Sequence, residues 1–333
     1  KAAGSGGGVY IAGTGASNAD AASEFTLENT SVNNNTALGT SATLATLAGG
    51  GGVCVSGNAL FWMASGTIAN NTAGEVLSGS NVRGGSGGGV LVRASLFDTN
   101  YDGSKENLGF IMSGGTISGN KSYGAASPHG GGGVYVASGE FDMLGGSIVL
   151  NYSKRQGGGV FVHSGAVFDA SGTSSITGND GVGSSKGLCS RGVTEMTGSA
   201  QADTVYVWNP LAEDAEPLSG ASADYNTFIL SGNARIGGIV LAHSAEHRNF
   251  IDLRGITGTG QIANIDLEGH LTNFVFKDTD INDWLNKTIL VDATGLVDRF
   301  SLGSFVGGTT LSLSPYKLAL VPGSPATGNL VRK

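Results

Sequence analysis

Asp142 and Asp169 are the residues whose type and spacing come nearest to chemistry. Each stands between two apolar residues, in Phe141-Asp142-Met143 and Phe168-Asp169-Ala170. Carboxylates at one outward position of neighbouring repeats can divide acid and base roles in polysaccharide cleavage, or hold a cation such as Ca²⁺. The equivalent places in other copies hold Thr26, Trp62 and Ile111, so no long acidic groove follows, and two solvated aspartates explain the pair as well. A second grouping, Asp98-x-Asn100-x-Asp102-Gly103, has the opening of a calcium loop. An EF-hand loop needs a glutamate at its twelfth position, which here is Gly109, so a polar loop is the simpler reading. Of the histidines, His129, His163, His243, His247 and His270, only His243 and His247 are closely spaced, and no His-Glu-x-x-His motif surrounds them. No residue is assigned a catalytic role and no cofactor is expected; Ca²⁺ is an example of the cation these carboxylates could hold.

The elements that must position these groups are repeats. A glycine triplet and a short strand recur at Gly6-Gly7-Gly8-Val9-Tyr10-Ile11, Gly50 to Val55, Gly87 to Val92, Gly131 to Val136 and Gly157 to Val162. A second element places Phe two residues before an apolar partner: Phe25 and Leu27, Phe61 and Met63, Phe110 and Met112, Phe141 and Met143. Seven residues after each Phe comes Val32, Ile68, Ile117 or Ile148; from Phe168 to Ile176 the interval is eight. Asn35, Asn71, Asn120, Asn151 and Asn179 follow. The shortest copy, Val134 to Val160, advances 26 residues. A unit of that size with three alternating strands buries its apolar face only by stacking on its neighbours.

The expected fold is therefore all-β: a right-handed, single-stranded parallel β-helix with inserted loops and a degenerate C-terminal end. Residues 1–180 form the regular glycine-rich repeats, and 181–333 form degenerate rungs and a cap in the same solenoid. Phe228, Phe250 and Phe274, 22 and 24 residues apart, suggest that winding continues. Stretches 13–23, 37–49 and 93–107 read as insertions, and Asp280 to Leu285 reads as one helical turn capped by Asp280.

Alternation turns the middle residue of each glycine-triplet strand outward. That row reads Tyr10, Cys54, Leu91, Tyr135 and Phe161. If exposed, Tyr10, Leu91, Tyr135 and Phe161 form an apolar stripe able to stack sugar rings or dock a partner. The competing reading folds inserted loops over it.

Composition agrees with this picture. The 58 glycines lack a collagen period, and the apolar residues (40 %) recur in register, unlike those of a disordered linker. A net charge of −8 without a basic run argues against nucleic acid and anionic membranes as partners. No stretch has the length and apolarity to span a bilayer. Cys54 and Cys189 are too few for a disulfide framework. The chain opens at Lys1 almost directly on a repeat, as a mature or excised piece of a longer protein would.

The pairing of Gly-Gly-Gly-Val-aromatic-Val with the Phe110–Asn120 pattern (FIMSGGTISGN) resembles bacterial cell-surface β-helix repeat proteins, such as adhesin-like proteins and autotransporter passengers. The resemblance covers residues 4–180. It implies secretion to the extracellular space or the bacterial surface, and a host or cell-surface protein or glycan as partner, with self-assembly open. It transfers no catalytic residue. The expected function is a non-catalytic scaffold or adhesin. The alternatives are a polysaccharide lyase or hydrolase of the parallel β-helix type and a trimeric phage or virion fibre.

Overall fold

A computed structural model describes residues 2–13, 23–38, 48–76, 82–94, 109–124, 130–208, 228–242, 249–269, 271–272, 275–276, 281, 284–285, 288–307, 309–321 and 327–333. These residues form a parallel β-helix. No α-helix occurs among them; Val297–Arg299 make one 3₁₀ turn.

A regular rung carries four strands rather than the expected three. In one rung they are Val90–Ala94, Gly109–Met112, Thr116–Ser118 and Lys121–Ser122. The fourth follows the Asn and is short, so its Thr-Ala, Lys-Ser and Tyr-Ser pairs carry no visible alternation. Each strand pairs in parallel with its equivalent in the next rung: Val90 with Val134, Phe110 with Phe141, Ile117 with Ile148, Lys121 with Tyr152. The interval of eight in the Phe168 copy is absorbed in a turn closed by Ser174 N–H donating to the Ser171 carbonyl, and Ile148 still pairs with Ile176.

After residue 200 the rung simplifies. Gln201–Val207 pairs with both Ser175–Thr177 and Leu188–Ser190, fusing the third strand of one rung with the first of the next. Arg235–Ala242, Ala263–Glu268 and Phe300–Val306 continue that long strand, and Phe228–Gly232 and Ile251–Ile256 continue the second. The register places Ile251, not Phe250, beside Phe228, and Phe274 lies outside the described residues. Parallel pairing ends in antiparallel strands: Thr310–Ser312 folds onto Phe300–Val306, and Thr327–Arg332 lies between Thr288–Val291 and Tyr316–Val321. Such strands cover the edge that a solenoid otherwise leaves open. Near it, Trp284 N–H donates to the Ile281 carbonyl in a single turn; Asp280 lies outside the described residues.

Two ladders run along the axis. Phe25, Phe61, Phe110, Phe141 and Phe168 stack with ring centroids 5.1, 5.4, 4.9 and 5.0 Å apart. The buried Asn ladder satisfies itself. Asn120 N–H and Nδ2 donate to Asn151 Oδ1, Asn120 Nδ2 also donates to the Ile68 carbonyl, and Asn120 Oδ1 accepts from Asn71 N–H and Nδ2. The glycine triplet has a separate reason at each place. In Gly87-Gly88-Gly89 the first has φ +63°, the left-handed region that disfavours a side chain. A Cβ on the second would sit 2.5 Å from the Lys121 backbone, and on the third 3.0 Å from Asn120 Nδ2. Triplet and Asn are thus one packing device.

Candidate functional site

The register sets the acidic residues side by side. Asp142 pairs with Asp169 and Asp169 with Glu195, making an outward acidic row three rungs long. Glu140, two residues before Asp142 on the same face, completes a cluster. Carboxylate oxygens of Glu140, Asp142 and Asp169 lie within 4.8 Å of one another. Glu140 and Asp142 are only 9 % and 7 % exposed, and all three residues make further contacts. This spacing suits a Ca²⁺ ion, with Ca–O bonds of about 2.3–2.6 Å.

Glu140 and Glu195 were missed in the sequence. Alternation from Asp142 could have found Glu140. Glu195 was hidden because Thr194 replaces the marker Phe: it pairs with Phe168, and its hydroxyl lies 2.9 Å from Ser190 Oγ in the interior. Asp98, Asn100, Asp102, His129, His243, His247 and His270 lie outside the described residues.

The outward stripe is corrected. Tyr10 is 52 % exposed, but Leu91, Tyr135 and Phe161 are fully buried, as is Cys54. They form a second apolar cluster, separate from the interior, with Cys189, Tyr206, Val240 and Ala242. Tyr135 and Phe161 stack at 5.1 Å with rings 6° apart, so no sugar can enter between them or reach their faces. Arg191 lies 4.6 Å from the Trp208 ring centroid and Arg93 5.9 Å from that of Tyr10. Burial pushes the Cys54 thiol up to about 11 and the Cys189 thiol up to about 12, so both stay protonated and unreactive at neutral pH.

Comparison with protein-family models, with curated proteins and with solved structures finds no match. The chain's own geometry is what bears on its role.

Along the outer cluster, Glu268 stands in register with Ala242, and the Tyr206 side chain hydrogen-bonds to it. Burial raises the Glu268 carboxyl above the ordinary range, and the Tyr206 bond offsets only part of this. The folded chain therefore holds this proton more tightly than the unfolded one does. Its contribution to stability is full in acid and is lost as pH rises through the raised value. Urea midpoints taken across pH should show the parent falling relative to Glu268→Gln as pH rises. Parallel curves would contradict the burial of this carboxyl.

A cleft opens at the start of the long strands whose far ends carry Tyr206, Val240 and Ala242. It has a volume of about 400 Å³ and outward walls that include Gln201, Asp203, Arg235 and Gln261, while Ala202, Ile236 and Ile262 between them turn into the interior.

Proposed function

We propose that the protein is a non-catalytic extracellular scaffold, displayed on a bacterial surface, that carries a binding surface along a β-helix. The observation that supports this best is the state of the acidic cluster. Glu140, Asp142 and Asp169 form the one group of metal-ligating side chains found among the described residues, and two of the three are nearly closed to solvent. Buried carboxylates offer a polysaccharide little access. The ladders supply what a scaffold needs, a stiff rod whose rungs differ outside and repeat inside. The repeat's resemblance to surface adhesins supports the location, with a host or cell-surface protein or glycan as partner.

A polysaccharide panel scored for new reducing or unsaturated ends tests this reading. No release is expected, and Asp142→Asn with Asp169→Asn should leave the assay unchanged. Release that this double substitution abolishes would establish an enzyme instead.

A further inference from the structure

We infer that the cleft between Gln201, Asp203, Arg235 and Gln261 binds the anionic group of an acidic saccharide, a sugar carrying carboxylate or sulfate, through Arg235, with the Arg299 charge behind it. This rests on the scaffold reading and names the ligand class it would hold.

The argument starts from two arginines on one short loop. An Arg235 Nη2 hydrogen bond goes to the Thr259 carbonyl, and Arg299 Nε donates to the carbonyl of the next residue, Gly260. The two guanidinium groups are thus held as neighbours by adjacent peptide units. Partial burial and the Arg235 charge both hold Arg299 below its usual value, so the pair repel. Neither is paired with a carboxylate within 4.0 Å among the described residues, whereas Arg254 and Lys186 are. Arg235 also donates from Nη1 to the Ala234 carbonyl, which leaves much of its donor fork unused. Arg299 Nη2 is shut off from solvent and has no hydrogen-bond partner. Arg299 thus adds charge beside Arg235, whose spare donors line the cleft; in a chain of net charge −8 the two are matched by an anion with planar or tetrahedral oxygens.

The rest of the cleft describes what carries that anion. Gln201, Arg235 and Gln261 lie side by side on successive rungs, with Arg235 paired to Gln201. Asp203 stands two residues beyond Gln201 on the same strand, its Oδ2 accepting from Gly178 N–H and its other oxygen turned to no partner among the described residues. Amide and carboxylate groups set around the arginine suit the hydroxyls of a sugar ring. The volume, about 400 Å³, accommodates one or two sugar units. An inorganic anion alone would use Arg235 and leave Asp203 and Gln201 unused, while Gln261 Nε2 donates to Ser301 Oγ.

The test is calorimetric titration of the whole chain with an oligogalacturonate, a heparin-derived oligosaccharide and a neutral cello-oligosaccharide, with product ends assayed in the same cell. At least one acidic probe should bind, weakening as salt rises, and the neutral probe should bind more weakly. Arg235→Gln should lower affinity by about tenfold or more at unchanged melting temperature. Arg235→Lys, which keeps the charge and loses the fork, should fall between. Gln201→Ala, an exposed position, guards against a folding defect and should weaken sugar binding but not inorganic sulfate. Equal binding of neutral and acidic probes, no binding of either acidic probe, or affinity indifferent to Arg235→Gln would each overturn the assignment. Cleavage in the cell would overturn the scaffold reading while leaving the binding result to stand by itself.

Discussion

Asn120→Ala is expected to lower the unfolding free energy by about 4 kcal/mol, because it orphans several buried polar groups at once. The side chain is fully buried. Its loss leaves Asn71 N–H without the Asn120 Oδ1 acceptor and the Ile68 carbonyl without its Asn120 Nδ2 donor. Asn71 Nδ2 and Asn151 Oδ1 each lose one of two partners. A buried group left unsatisfied costs about 1–3 kcal/mol, far more than the net value of a bond exchanged with water. Asn35→Ala supplies the contrast. Asn35 is half-buried at the end of the ladder, and its Nδ2 bonds go to the Asn33 carbonyl and Asn71 Oδ1, which keeps Asn35 N–H. About 1 kcal/mol is expected there. Denaturant titration of both variants checks this, and equal losses would show that the amides do not act as a ladder.

Gly132→Ala is expected to be at least as damaging, about 4 kcal/mol or more, although it adds one methyl group. A Cβ at Gly132 would stand 2.5 Å from the Tyr152 backbone and overlap the Gly158 carbonyl oxygen. Both obstacles are main chain, Tyr152 in the fourth strand of the same rung and Gly158 in the next rung, so neither can swing aside. Relief requires rungs to separate, which breaks the bonds from Gly132 N–H to Gly157 O and from Gly133 N–H to Gly158 O. Gly238→Ala is the control. Nothing lies within 4 Å of a Cβ there, and Gly238 has no positive φ. That change should be neutral, or slightly stabilising through the unfolded chain. Thermal melts of the two variants make the comparison.

These two residues also show why the fold was legible in the sequence. Gly132 and Asn151 recur in fixed relation because each copy solves the same contact with its neighbour, so periodicity alone exposed the stack. The fourth strand was invisible because Lys121–Ser122 and its equivalents are too short to alternate. Beyond Asn179 the markers vanish for a physical reason: once Gln201–Val207 runs straight through the corner, no glycine triplet or Asn is needed to turn it.

The site was less legible than the fold. Alternation correctly set Asp142 beside Asp169 and turned Tyr135 and Phe161 outward, but outward from the solenoid interior did not mean exposed to water. The cleft arginines had no signal at all. Arg235 and Arg299 are 64 residues apart, in the part of the chain without repeats, and only the winding brings them to one loop.

Hydrogen exchange followed residue by residue tests the account's central claim, that successive rungs are stacked in register into one rod. The amides of Val90, Val134 and Val160 donate to the carbonyls of Gly133, Gly159 and Gly187 in the next rung. The account predicts that these three exchange slowly and to a similar extent, and that Asn120→Ala speeds the flanking rungs more than the Ile239–Leu241 segment. Rapid exchange at Val134 and Val160, at the rate of surface amides, would contradict the stacked helix itself.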